Sequence, residues 1–165
     1  MGVLPSPKLA NTRSLDGPDS TMTLTPDSKP RLLFVCIENA GRSQMAEAFA
    51  RRKGFEASSA GTQPAVTVNP AVAEAMAEKA FNFTMKKPKK LTIEMIDNAD
   101  LVITMGCSVE KVCPRPMLEK MNKKLVDWTL EDPKGKPLPE VRRIRNEIEN
   151  RVDELTKGQL ATYQV

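Results

Sequence analysis

The sequence predicts an α/β fold: a single three-layer domain with a central four-stranded parallel sheet flanked by helices. Three observations predict it. Short apolar runs alternate with helix-patterned stretches, the runs are apolar at successive positions, and one of them passes through a short loop straight into helix-forming sequence. A chain of 165 residues with 40% hydrophobic content suits one domain with a substantial core.

The elements follow in order. Residues 1–30 are rich in Pro, Ser, Thr, Asp and Gly without apolar periodicity, which describes a disordered tail, and Met22 offers a second start within it. Arg31 to Val35 reads as the first strand and Gln44 to Lys53 as the first helix. Phe55 to Ser59 reads as a second strand ending at the turn Ala60-Gly61-Thr62. A helix follows Pro70, with Val72, Ala73, Met76, Ala77 and Ala80 on one face. Leu91 to Ala99 suits a short helix, Leu101 to Met105 a buried strand bounded by Gly106, and Leu125-Val126 a last short strand. Val141, Ile144, Ile148, Val152 and Leu155 line one face of a closing helix. The domain spans 31–157, and 158–165 form a C-terminal tail. In such parallel sheets ligands bind at the carboxyl ends of strands, where Cys36 falls.

The most informative stretch runs from Leu32 to Ser43. An apolar strand delivers Cys36 to the loop Ile37-Glu38-Asn39-Ala40-Gly41-Arg42-Ser43, and Gln44 to Ala50 follow with helical composition. A loop at a helix N-terminus presents backbone N–H groups suited to a tetrahedral oxyanion, and the Arg42 guanidinium can clamp two of its oxygens. The same positive field favours a thiolate at Cys36. A buried strand-end cysteine acting only as a small hydrophobe would not account for Gly41, Arg42 and Ser43 between strand and helix.

Composition excludes several classes. The net charge of +4 is modest, and its densest basic run, Lys86-Lys87-Pro88-Lys89-Lys90, reads as a solvated loop. Aromatic residues are scarce and no recognition-helix motif occurs, so nucleic acid is not an expected partner. No run approaches the roughly 20 apolar residues of a membrane span, and no signal peptide opens the chain. Met1-Gly2 through Ser6 superficially fits a myristoylation pattern that nothing else supports. A soluble cytoplasmic monomer is expected.

Two further cysteines, Cys107 and Cys113, lie beyond the strand that ends at Met105, on the same carboxyl edge as Cys36. Three readings are open: inert thiols in a reducing cytosol, an incomplete zinc set lacking histidine, or sequential thiol–disulfide exchange among the three sulfurs. The layout favours exchange.

The segment Val35 to Glu47 resembles the signature of the low-molecular-weight tyrosine phosphatase superfamily, in its arsenate reductase branch. Ser59-Ala60-Gly61-Thr62, Ile103 to Cys107, Cys113-Pro114, Trp128 to Pro133 and Arg142 to Arg151 extend the resemblance across nearly all of 31–157. The resemblance implies that arsenate binds in the loop 36–43 and that Cys36 attacks arsenic. Cys107 then attacks Cys36 to release arsenite, and Cys113 attacks Cys107 to leave a disulfide for thioredoxin, or another dithiol protein, to reduce. It implies Asp132 as general acid, in a site of low polarity or beside a negative charge. It also implies Ser43 as a hydrogen-bond partner of the thiolate, Asn39 as a prop for the loop, and potassium near Asn39 and Glu47. No tightly bound cofactor is implied. Phosphate-monoester hydrolysis through phosphocysteine is the alternative within the fold. Lys134-Gly135-Lys136 after Asp132-Pro133 provides no aromatic wall for a phenol ring. A thiol protein that binds arsenite or senses oxidants without catalysis is the alternative outside it.

Overall fold

Four parallel strands, β1 (Leu32–Cys36), β2 (Ala57–Gly61), β3 (Leu101–Thr104) and β4 (Leu125–Asp127), form one sheet in the order β2-β1-β3-β4. The helices are α1 (Arg42–Arg52), α2 (Pro70–Ala77), α3 (Ile93–Asn98), α4 (Arg115–Asn122) and α5 (Leu138–Glu154), which runs into a π-helical turn (Leu155–Gln159). The computed structural model describes residues 29–106, 115–122 and 124–159. Cys107, Cys113 and most of both expected tails lie outside the described residues. Lys29 and Pro30, assigned from sequence to the tail, pack on the domain: Pro30 is buried, and Lys29 lies over the Phe55 ring.

The alternating directions of strand side chains divide the core in two. Leu32, Phe34 and Cys36 of β1 and Leu101 and Ile103 of β3 face one cluster, completed by Met45 and Phe49 of α1, Val72 and Met76 of α2, and Ile144 and Ile148 of α5. Leu33, Val35 and Val102 face the other, with Ile96 of α3 and Met121 of α4. Both faces of the sheet are therefore covered, which explains why the strands are apolar at successive positions. Each such fully buried side chain contributes roughly 1.5–3 kcal/mol.

Several boundaries differ from the sequence expectation. β1 reaches Cys36 and α1 begins at Arg42, so the loop between them is tighter than expected. β2 lies two residues later than expected because parallel pairing sets Leu32 against Ala57 and Cys36 against Gly61; the expected turn at Ala60-Gly61 is strand. Phe55 instead bonds back to Ala50 at the end of α1. The α2 helix buries Val72, Ala75 and Met76, whereas Ala77 is exposed and Ala80, at φ 71°, lies past the helix in a left-handed turn that ends it. α3 starts two residues after Leu91 because Thr92 caps it, its side chain accepting from the Met95 N–H. The α4 helix has no counterpart in the sequence expectation. The buried face assigned to the closing helix is found as expected.

The chain leaves β1 for β2 on one side and returns to β3 on the other. The carboxyl end of β1 is thus the point where the strand order reverses, and Cys36 stands there.

Candidate active site

The loop from Cys36 to Arg42 turns its carbonyls outward. Cys36, Ile37, Glu38 and Ala40 accept from the backbone N–H groups of Thr62, Gln63, Ala65 and Asn69, at 2.8–3.2 Å. The Asn39 carbonyl accepts from Gln44 Nε2 at 3.2 Å, and that of Gly41 from the Met45 N–H at 3.0 Å. Within each planar trans peptide the N–H points opposite to the C=O, so this pattern aims the amides of residues 37–42 into the loop. The result is a concave nest with a positive interior. Asn39 enables the bend with a left-handed backbone, φ 52°, and its N–H donates to Cys36 Sγ at 3.2 Å.

Cys36 is buried at the floor of this nest. Its Sγ lies 2.9 Å from Ser43 Oγ, and Ser43 Oγ accepts from Asn39 Nδ2 at 2.7 Å. Ser43 thus stands beside the thiol, and the Asn39 side chain spans from the loop to Ser43.

Arg42 sits at the start of α1 with its side chain 6% exposed. Nη1 donates to the carbonyls of Met105 at 2.7 Å and Leu130 at 3.2 Å, which fixes the plane of the guanidinium. Nε is buried without a hydrogen-bond partner among the described residues. Nη2 is 3.6 Å from Asp132 Oδ2. An orphaned buried donor is costly unless a ligand satisfies it, and Nε together with Nη2 forms a two-pronged donor edge of the shape that can bond two oxygens of a tetrahedral anion.

A cavity of about 390 Å3 opens above Cys36. Its lining includes Cys36, Ile37, Glu38, Ala40, Gly41 and Arg42 from the nest, Ala65, Thr67, Asn69 and Pro70 from the loop after β2, and Asp132 to Gly135. Among the described residues no aromatic side chain lines it. Asp132 is at the mouth, 58% exposed, with its Oδ1 accepting from the Lys134 N–H at 3.0 Å. The low-polarity setting expected for a general acid is absent there: the charge paired with Asp132 is the Arg42 cation.

The residues expected to hold potassium do not fit it. Asn39 Oδ1 already accepts from Gln44 Nε2 at 3.0 Å and from the Lys89 N–H at 2.8 Å. Glu47, 2% exposed, accepts from Ser59 Oγ at 2.6 Å and faces Arg51 at 3.1 Å and the amines of Lys86 and Lys89 at 3.8 Å. Burial lowers the pKa of Lys89, with Glu47 opposing that shift. Cationic side chains thus occupy the electrostatic role assigned to the ion. Among the described residues no cluster suited to a metal ion occurs.

Sequence reasoning missed Gln44, which ties the nest to Asn39 and to the Lys87 carbonyl at 3.2 Å, and Lys134, which reaches Glu38. The position of Gln44 immediately after Ser43 was the available signal for the first; none existed for the second.

The same architecture occurs in other proteins. An arsenate reductase from Bacillus cereus is 34% identical over 131 residues, covering 76% of this chain and 93% of its own. A thioredoxin-dependent arsenate reductase from Corynebacterium glutamicum superposes with a TM-score of 0.64 at 38% identity, over 83% of this chain and 65% of that one. An arginine phosphatase from Geobacillus stearothermophilus superposes with a TM-score of 0.69 at 28% identity, over 81% and 97%. The model of the low molecular weight phosphotyrosine protein phosphatase family matches residues 31–164, and the chain belongs to that family.

Proposed function

We propose that the protein is an arsenate reductase, and the observation that carries this is the nest itself. A buried cysteine, hydrogen-bonded by Ser43, lies beneath inward-facing amides and an arginine edge with an orphaned Nε. Arsenate matches that nest in charge and shape. The likeness to the Bacillus and Corynebacterium arsenate reductases supports the substrate.

In the proposed cycle the Cys36 thiolate attacks arsenic and forms an S–As bond while an oxygen leaves as water, protonated by Asp132. The Cys107 thiolate then attacks Cys36 Sγ. The S–S bond forms, the S–As bond breaks, and its electron pair stays on arsenic, reducing As(V) to arsenite. Cys113 attacks Cys107, freeing Cys36 and leaving a Cys107–Cys113 disulfide, which the dithiol of thioredoxin reduces. Arg42 neutralises the oxyanion and orients it. The chemistry needs a reducing compartment, consistent with a cytoplasmic monomer whose catalytic domain is built on residues 31–157. Among the described residues no helix is long and apolar enough to cross a membrane.

The likeness to an arginine phosphatase favours a second reading, hydrolysis of a phosphorylated group through phosphocysteine with the same Cys36, Arg42 and Asp132. NADPH oxidation with arsenate, thioredoxin and thioredoxin reductase separates the two. Arsenate-dependent oxidation that vanishes in Cys107→Ser and in Arg42→Ala supports the reductase. Phosphate-ester hydrolysis without arsenate-dependent oxidation would replace it with the phosphatase. Arsenite binding that survives Arg42→Ala in a protein without either turnover would point to a thiol binder.

A further inference from the structure

An ion pair crosses the mouth of the cavity. Lys134 Nζ donates to Glu38 Oε2 at 2.9 Å, joining the nest to the loop that carries Asp132 across 96 residues of sequence. Both residues line the cavity. Below them Pro133 is buried, and a Cβ on Gly41 would stand 2.9 Å from Pro133 Cγ, so only glycine permits the two loops to approach this closely. The Lys134 backbone N–H separately holds Asp132 Oδ1 at 3.0 Å. The lysine side chain therefore does not anchor the acid.

Two physical consequences follow from this arrangement. A free tetrahedral oxyanion held against Cys36 and Arg42 carries no group beyond its own four oxygens, whereas an ester held there must run its leaving group out past the Glu38–Lys134 pair in the cavity lining. Glu38 alone would repel a dianion, and Lys134 cancels that charge, so the mouth is narrowed without opposing the anion.

We propose that the Glu38–Lys134 pair is a specificity-determining strap that favours free tetrahedral oxyanions over phosphate monoesters. The proposal rests on the oxyanion reading of the nest.

The test uses the full chain as wild type, Glu38→Ala, Lys134→Ala and the double variant. Inorganic phosphate affinity is measured by protection of Cys36 from iodoacetate, and kcat/KM is measured for p-nitrophenyl phosphate. Dividing the second by the phosphate association constant cancels the electrostatics common to both dianions and leaves the effect of the mouth. The ratio is expected to rise about two- to fivefold in each single variant, the range that an exposed ion pair supports, and no further in the double variant. Wild type in about 1 M salt should move the same way, because screening weakens the pair. An unchanged ratio, or factors that multiply in the double variant, would overturn the strap while phosphate protection of the wild type upholds the nest. Absence of phosphate protection in the wild type would overturn both.

Discussion

Ser43 Oγ is 2.9 Å from Cys36 Sγ while accepting a hydrogen bond from Asn39 Nδ2 at 2.7 Å. Either atom of the Ser43–Cys36 pair can donate, and when Cys36 carries negative charge the sulfur can only accept, so the single Ser43 proton then turns to it. In the proposed cycle Ser43 is placed to stabilise negative charge on Cys36 Sγ as it attacks and departs. Ser43→Ala should lower turnover by about 10- to 100-fold, since a hydrogen bond to a charged group is worth roughly 1.5–3 kcal/mol. Steady-state kinetics, with phosphate affinity as the control for an intact nest, checks this. Asn39→Ala should reproduce part of the loss by releasing the Ser43 proton from its orientation.

Gly106 controls Arg42 from a distance. It has φ 78°, and a Cβ there would lie 2.7 Å from both the backbone N and O of Leu130, whose carbonyl accepts from Arg42 Nη1. Gly106→Ala combines a strained left-handed backbone with a clash against main chain that has no rotamer to yield. Stability in urea should fall by roughly 2–3 kcal/mol. Phosphate affinity should fall as well, because displacement of Leu130 rotates the guanidinium edge; unchanged affinity in a folded variant would contradict the link.

Glu47 already has its charge balanced by Arg51, Lys86 and Lys89. Exchange of potassium for sodium at constant ionic strength should therefore change turnover by less than about twofold, as expected when protein cations neutralise a buried carboxylate. A potassium titration of the initial rate checks this. Lys89→Met should reduce stability, measured by thermal unfolding, through loss of one of those partners.

Glu78 is bound by Arg142 at 2.8–3.0 Å and by Arg145 at 2.7 Å, linking the end of α2 to α5. The hydrogen bonds from Arg142 and then Arg145 hold its pKa at about 2, below the ordinary 4.5. A carboxylate with a depressed folded-state pKa contributes stability that is fully present above the unfolded value and lost as pH falls through the folded one. The Tm difference between wild type and Glu78→Gln should be constant at neutral pH and should shrink between pH 4.5 and about 2. A difference that persists at the acid limit would assign the effect to packing instead.

Much of this protein was legible in the sequence because its signals are local. Four successive apolar residues before Cys36 identify a strand buried on both faces, and Gly41-Arg42-Ser43 before helical composition identifies an anion nest, since each depends on neighbours in the chain. The buried stripe from Val141 to Leu155 is equally local, a matter of helical period. Boundaries were less legible: β2 occupies Ala57–Gly61 because of its register with β1, and register is a relation between segments.

The fold class and the placement of Cys36 and Arg42 in one loop between strand and helix are written in the local sequence. Every feature that requires two distant segments to meet emerges with the folded core. Arg42 Nη1 reaches Met105 and Leu130 across 63 and 88 residues, Lys134 reaches Glu38 across 96, and the Lys86 and Lys89 amines approach Glu47 where an ion was expected. Charged side chains of this kind carry no periodicity that reveals their partners. Their pairing is set by where packing of the apolar core brings the loops, and their effect on charge and geometry exists only once that packing is complete.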